Sequence, residues 1–522
     1  MHKHRIAVID LVTNSPSRSF YERIMIANES SIMPQVVARW CEEEGHDVTY
    51  FTYTGFENLI KELPTHADIV FIGAFTHSAQ LAYALSNILR SKNIITVLGG
   101  PHARCYQKDA QKYFDYVIGF TTKSLIQDIL CDCAQYRPLG IFLSSGKHPA
   151  NLPGIRERWK YIQHAIRKSL FIKIVPTTAS FGCPYRCSYC IDADVPYQIF
   201  DLDELKEDLK FLQQKLKKPR VVWCDPNFGV QFSNILNAIE ESVPKHSVEF
   251  IAESSLSLLT EERLKRLQKN GFKAIMIGVE SWFEQNKKSN SNNIHSRDKV
   301  KLVSEHVNLI QKYIPFVQTN FLLGLDCDAG AEPFELTKHF IDRAPGVFPA
   351  FCLFTAFGNG TELFRKYQQE NRVIPVAFHF LSNKTLNVRP KNYSWRVFYE
   401  HVIDMTKYSF SPKAVFKRFK STNYIIPAWL GVLRAVTLEG LGRINYYSEI
   451  HKRLKNDNQM ISFFKQETTE LPQFYLNRIQ HDLGPLWNWL PPGALNNDLD
   501  INSTDVQRKE VKSKYSNSHT NF

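Results

Sequence analysis

The sequence predicts an α/β protein in three parts: an N-terminal doubly wound parallel sheet, a central partial (β/α)6 barrel and a C-terminal, mainly helical cap. Three observations carry that prediction. Up to about residue 135, short apolar runs alternate with helical patterns at the spacing of βαβ units. From about residue 169 the alternation resumes with a longer period and repeats six times. Beyond residue 395 the strand-like runs stop, and aromatic residues recur at helical spacing. With 522 residues, 43% of them hydrophobic, the chain has material for more than one core, which excludes a mainly disordered protein.

In the first segment, 1–135, strand-like runs stand at 6–10, 48–53, 69–72, 94–98 and 116–118, with helical stretches such as 34–44 and 79–91 between them. Gly73, Gly99, Gly100 and Gly119 each fall just past one of these strands. In doubly wound sheets ligands bind beyond the carboxyl ends of the strands, where glycine lets a cofactor approach the backbone closely. Residues 136–168, punctuated by Pro138-Leu139-Gly140, Ser144-Ser145-Gly146 and Leu152-Pro153-Gly154, read as a linker. The central segment, 169–395, has strand-like runs at 171–176, 221–224, 248–253, 274–279, 316–323 and 351–355. Leu205, Leu209, Leu212 and Leu216 form one face of its first helix. Thr260 is placed as an N-cap with Glu261 and Glu262 in the first turn, and Asn270-Gly271 as the stop.

The chemistry is concentrated in Phe181-Gly182-Cys183-Pro184-Tyr185-Arg186-Cys187-Ser188-Tyr189-Cys190, directly after the first strand of the central segment. Three thiols so close in sequence suit an iron–sulfur cluster or zinc, but a closed structural zinc site needs a fourth ligand, and no second pair at a suitable spacing follows. Three ligands leave one metal position open for a small molecule. In barrels the reacting groups stand at the carboxyl ends of strands. There the chain places Asp225 and Asn227, Glu253, Glu280 and Ser281, and Gly324. A carboxylate at a strand end is equally often the N-cap of the next helix.

The spacing Cys-x3-Cys-x2-Cys, with Tyr189 before the last Cys, resembles the signature of the radical S-adenosylmethionine (radical SAM) enzymes. Gly278-Val279-Glu280-Ser281 and Gly324-Leu325-Asp326 resemble strand endings of one subgroup, and the resemblance covers residues 170 to 395. It implies a [4Fe-4S] cluster on Cys183, Cys187 and Cys190, with S-adenosylmethionine on the open iron. It further implies contacts from Tyr189, Asp225 to the ammonium group, Asn227, Glu253 or Glu280 to the ribose, Ser281 and Gly324. The first segment resembles the cobalamin-binding domain that precedes the core in that subgroup, on Ile72-Gly73, Leu98-Gly99-Gly100-Pro101-His102 and Ile118-Gly119. Asp10-Leu11-Val12-Thr13-Asn14 lacks the histidine motif that supplies cobalt with a lower ligand in some such domains, and Phe120-Thr121-Thr122 departs from the acidic pattern usual after the last glycine. His102 reads as a loop histidine. The activity implied is generation of a 5'-deoxyadenosyl radical and cobalamin-dependent methylation of an unactivated carbon. The alternatives are a radical rearrangement or cyclisation without methyl transfer, and a non-catalytic iron–sulfur sensor or binding protein. A small-molecule or peptide substrate and a flavodoxin- or ferredoxin-type reductase are the implied partners.

Lys and Arg outnumber Asp and Glu by 64 to 52, but the excess is dispersed, so a nucleic-acid partner is not expected. The first residues hold no apolar run long enough for a signal peptide. No apolar run reaches the roughly eighteen residues of a membrane span; the nearest, 425–436, is interrupted by Pro427 and Arg434. The expectation is a soluble, cytoplasmic protein, with its ten cysteines reduced. Residues 396–495 carry aromatics such as Phe398, Tyr399, Phe416, Phe463 and Trp489, with Lys413, Lys417, Arg418 and Lys420 between, and read as a helical cap whose aromatics are core. Residues 496–522, rich in Asn, Ser, Asp and Lys, read as a disordered tail.

Overall fold

Each apolar run holds a strand in the computed structural model, which describes residues 3–17, 19–25, 29–133, 139–169, 173–283, 296–358 and 361–497, so that 171–172 of the run at 171–176 lie outside the described residues. The first sheet holds β1 (Arg5–Leu11), β2 (Asp47–Tyr53), β3 (Ile69–Ala74), β4 (Ile95–Gly99), β5 (Tyr116–Ile118) and β6 (Ile141–Leu143). Its order is β2-β1-β3-β4-β5-β6, all parallel, with Ile6 opposite both Val48 and Ile69. Helices cover both faces. Ala7, Ile9, Val70, Ile72 and Leu98 pack to one side, and Ile6, Val8, Ile69, Phe71 and Val97 to the other. Burial on two faces explains why these strands read as unbroken apolar runs instead of alternating ones.

The segment read as a linker needs correction. It supplies β6, the edge strand of the first sheet, and the helix Trp159–Arg167. A three-residue edge strand with half-buried side chains between Gly140 and Ser144 leaves no periodic signal. Arg158, buried just before that helix, donates from Nε to Pro153 O at 2.8 Å and from Nη1 to Gln35 Oε1 at 2.7 Å, tying the segment to the first sheet's helices.

The second sheet is the partial barrel: β7 (Ile174–Thr177), β10 (Arg220–Trp223), β11 (Glu249–Ser255), β12 (Phe272–Glu280), β13 (Phe316–Leu323) and β14 (Phe348–Leu353), in the order β14-β13-β12-β11-β10-β7 and parallel throughout. A short antiparallel pair, β8 (Ser180–Phe181) with β9 (Gln198–Ile199), brackets the cysteine loop. Thr260 caps its helix, accepting from Arg263 N, and Asn270-Gly271 ends it with Gly271 at φ +86°. The last strand begins three residues earlier than expected because Phe348, Pro349 and Ala350 are also buried against the outer helices.

Helices from Trp395–Ser409 to Gln473–Leu483 form the C-terminal part, with Phe398, Tyr399, Tyr447, Phe463 and Tyr475 in the core. Phe416 and Trp489 are exposed, against the expectation that the aromatics there are core. Most of the tail lies outside the described residues; Asn497, assigned to it, is buried against the fold. Among the described residues, one helical stretch, Ile425–Asn456, is long and apolar enough to cross a membrane by length and composition, which the sequence reading did not find. It is built of two helices joined by a π-helical turn, Leu438–Gly442, and its Arg434 and Arg443 are buried in the protein. All ten cysteines are free thiols.

His102 proves to be a core group and not a loop residue. It is fully buried on the helix Pro101–Cys105, its Nε2 lies 2.6 Å from Tyr83 Oη, and Tyr83 donates to Asp109 Oδ2 at 2.6 Å. Burial lowers its pKa from 6.5 to about 3. The unfolded chain therefore takes up a proton that the folded one refuses, and stability is lost as pH falls below 6.5, at about 1.4 kcal/mol per pH unit for this imidazole. His102→Gln, which keeps a partner for Tyr83, should lose less melting temperature between pH 7 and pH 5 than the unaltered protein; equal losses in calorimetry would show that His102 does not titrate in this way.

Candidate active site

Because both sheets are parallel, each presents all its carboxyl ends on one edge, and the two edges meet across a cavity of about 600 Å3. Gly73, Gly99, Gly100 and Gly119, singled out from the sequence, all line it. Facing them are Ile174, Pro176 and Thr178 at β7, Val222, Cys224 and Pro226 at β10, and Phe181, Gly182, Ile191 and Asp192 of the cysteine loop. The four glycines differ in what they do. A Cβ at Gly99 would meet no atom within 4 Å, so that position opens straight onto the cavity. At Gly100, with φ +99°, a Cβ would lie 2.7 Å from Ala74 O, so glycine is required there by the backbone itself. At Gly73 and Gly119 a Cβ would press on Pro34 and on Ser144 with Phe142.

Cys183 is buried, and Cys187 and Cys190 are half-buried. Cys190 N donates to Cys187 O at 3.0 Å, closing a turn, and Asp192 N donates to Cys190 Sγ at 3.4 Å, a contact that favours a thiolate. Among the described residues no three Cys, His, Asp or Glu side chains form a compact metal-holding group. The fit to a cluster rests on donor chemistry: three thiols on one loop, beside a cavity large enough for a ligand on the open iron. Tyr189 packs half-buried against the hydrophobic core.

Asp225 does not face the cavity. Its buried carboxylate accepts from Ala179 N at 3.0 Å, Ser180 Oγ at 2.6 Å and Thr178 Oγ1 at 3.3 Å, and so anchors the strand that enters the cysteine loop. Burial raises its pKa, and these hydrogen bonds oppose the rise. Asn227 bridges to the next strand, donating to Ser255 Oγ at 2.7 Å and accepting from Ser255 N at 3.2 Å. Ser281 donates to Asp328 Oδ1 at 3.1 Å and its carbonyl accepts from Lys299 Nζ at 2.8 Å. Gly324, at φ +94°, makes the turn after β13 and packs toward Leu386 and Phe398. Asp225, Asn227 and Ser281 thus make these hydrogen bonds within the fold.

Glu253 and Glu280 are placed differently. Glu253 stands exposed on β11 and acts electrostatically on Cys224. Glu280 ends β12 at φ +64°, after a bulge in which a Cβ at Gly278 would strike its carboxylate. Burial pushes the Cys352 thiol up to about 11, with Glu280 and Glu439 adding to the rise and Arg443 opposing it. Arg443 pairs with Glu439 at 3.2 Å and donates to Phe351 O, bringing the C-terminal helices onto the barrel strands.

Sequence reasoning missed several wall residues. Cys224 opens onto the cavity, whose walls push its thiol up to about 12. Glu29 also lines it, and desolvation raises its carboxyl to about 7. Arg104 pairs with Asp192 of the cysteine loop at 3.1 Å, linking the two sheets. His148 stacks on Phe181 at 3.9 Å between ring centres, and burial lowers its pKa to about 4. Nothing in the local sequence marks them, since each acquires its place only when the two sheets face one another.

Residues 177–326 match the Radical SAM superfamily. Bacteriochlorophyllide d C-12(1)-methyltransferase of Chlorobaculum tepidum is 23% identical over 362 residues, 68% of this chain and 77% of that protein. Bacteriochlorophyllide d C-8(2)-methyltransferase of the same organism is 22% identical over 319 residues, 59% and 69%. The cobalamin-dependent S-adenosylmethionine radical enzyme OxsB, solved with aqua-cobalamin bound, shares the fold with a TM-score of 0.55 at 12% identity, over 94% of this chain and 80% of that one. Residues 177–326 therefore carry a radical SAM domain, which implies S-adenosylmethionine and a [4Fe-4S] cluster as cofactors.

Two outcomes follow from this geometry. Replacing Cys183, Cys187 or Cys190 by Ala should abolish the iron–sulfur absorbance after anaerobic reconstitution, whereas Cys105→Ala and Cys131→Ala should retain it; a cluster that survives loss of all three loop thiols would overturn the ligand set. Asp225→Ala leaves Ala179 N and Ser180 Oγ without their acceptor, while Thr178 Oγ1 keeps Ser180 O at 2.7 Å; this should cost about 2 kcal/mol or more in stability and lower iron per chain. A loss of S-adenosylmethionine affinity at unchanged iron content would instead place Asp225 on the ligand.

Proposed function

We propose that this chain is a cobalamin-dependent radical SAM methyltransferase acting on an unactivated carbon of a small-molecule substrate. The carrying observation is the single cavity between the glycine-lined edge of the first sheet and the cysteine loop. A large planar cofactor would fit against Gly99, where no side chain intrudes, and face Gly182 and Ile191, the neighbours of Cys183 and Cys190 on the cysteine loop. Both curated relatives are named as methyltransferases, which supports the same reaction class.

The cysteines would hold the cluster, which when bound supplies one electron to S-adenosylmethionine and so yields methionine and a 5'-deoxyadenosyl radical. Cobalamin over Gly99 and Gly100 would supply the methyl group. The chain's own residues bind and orient. Glu253 and Glu280 are the carboxylates at strand ends that would accept from the ammonium and ribose of S-adenosylmethionine. Asp225 and Asn227 fix the loop and strand ends against which those partners align. The apolar wall of Val222, Pro226 and Ile191 excludes water from the reacting groups. A flavodoxin- or ferredoxin-type reductase would deliver the electron.

The test is reconstitution with cobalamin and with S-adenosylmethionine labelled in its methyl group. The unaltered protein should take up cobalamin near one per chain, and Gly99→Trp should lower that at least about tenfold while iron content stays unchanged, because the new ring fills the open floor. Formation of 5'-deoxyadenosine with substrate but without cobalamin uptake would exclude methyl transfer through cobalt and leave a radical rearrangement.

A further inference from the structure

Helices Pro412–Lys420 and Ile425–Val436 form a corner at the amino ends of β13 and β14, the end of the barrel opposite the cysteine loop. Two buried arginines fasten it there. Arg418 donates from Nε to Val347 O and from Nη2 to Ser409 O, each at 3.2 Å, and Arg434 donates to Gln318 Oε1 at 2.7 Å with its guanidinium 3.8 Å from the Phe348 ring centre. Phe419 and Trp429 meet edge-on at 5.3 Å and join the two helices.

What the corner turns outward is apolar. Ile425 is 72% exposed, Ile426 77%, Trp429 59% and Phe416 59%, and Val436 and Leu441 extend the patch. Ile425, Trp429 and Val436 recur at helical spacing and form one stripe. The charge around it is mainly basic: residues 412–436 contain five Lys or Arg and no Asp or Glu, while Asp342 pairs with Lys417 and Glu439 with Arg443. Arg418 and Arg434 are turned inward, Lys417 lies 3.6 Å from Asp342, and Lys413 and Lys420 stand at the rim, with Lys420 Nζ 4.6 Å from the Phe416 ring centre.

We propose that this corner is a membrane-docking face, which lays the foot of the barrel on an anionic phospholipid surface. The exposed isoleucines would enter the acyl boundary, Trp429 and Tyr424 would sit at headgroup level, and the lysines would meet lipid phosphates. The helix does not cross the bilayer, because Arg434, Ala435 and Arg443 are packed into the protein and the π-helical turn breaks the run. A second copy of the chain fits the face poorly, since an isologous contact would set two acid-free basic segments against each other.

Cosedimentation of the reconstituted full chain with vesicles tests this. Vesicles with about one third phosphatidylglycerol should bind at least about tenfold more protein than pure phosphatidylcholine, and high salt should weaken that preference. Ile425→Ser with Ile426→Ser and Trp429→Ser should abolish sedimentation. Lys413→Glu with Lys420→Glu, both at exposed positions, should remove the preference for anionic lipid at unchanged iron content, so the proposal stays falsifiable if the triple variant folds poorly. Failure of the unaltered protein to sediment with anionic vesicles, indifference to the Lys changes, or a dimer that the triple variant dissociates would each overturn it.

Discussion

One geometric constraint governs this molecule: every strand in each large sheet runs the same way. A parallel sheet delivers all its carboxyl ends to one edge, and here the ends of β3, β4 and β5 in one sheet and of β7 and β10 in the other, with the cysteine loop, bound one shared space. Antiparallel strands would have sent half of these loops to the far side. The joint is held by few but specific contacts. Asp225 ties the entry of the cysteine loop to the second barrel strand, and the pair Arg104 with Asp192 ties that loop to the first sheet.

Strands such as β1 and β3 were legible because burial on two faces forces continuous apolar runs, and barrel strands such as β12 and β13 because buried positions alternate along them; either pattern leaves a local mark. The mark fails at β6, where three half-buried residues at the sheet edge between turn signals look like loop. Caps were legible for a similar reason: Thr260 and Asn270-Gly271 act on backbone groups one turn away, so the information is local. The four glycines were legible from their places just past the strands and do line the cavity, and the three cysteines stand together on one loop next to it.

The polar residues at strand ends were less legible. Position after a strand says that a side chain lies near the cavity, but not which way it points or what it already bonds. Asp225, Asn227 and Ser281 each have a neighbour within hydrogen-bond reach that the sequence places 28 to 47 residues away, and those neighbours claim them. Glu253 and Glu280 occupy comparable sequence positions, yet Glu253 stands exposed and Glu280 is turned by a bulge and a positive φ. The distinction is made by tertiary geometry alone.

The C-terminal helices show the same limit from the apolar side. Aromatic residues at helical spacing describe a core, and most of them form one, but the helix Ile425–Val436 has two working faces. Its inner face carries Arg434, which acts electrostatically on Tyr21 together with Glu439 and Glu29, and Glu29 is itself a wall of the cavity. Its outer face is the exposed apolar stripe. Ile425 and Ile426 are in water in the folded chain as in the unfolded one and so add little to its stability, whereas burying each against a partner surface would gain roughly 1.5 to 3 kcal/mol. Arg434, eight residues on from Ile426, is buried and bonded on the inner face, so the helix is held by its charged side and leaves its apolar side open to the bilayer proposed above.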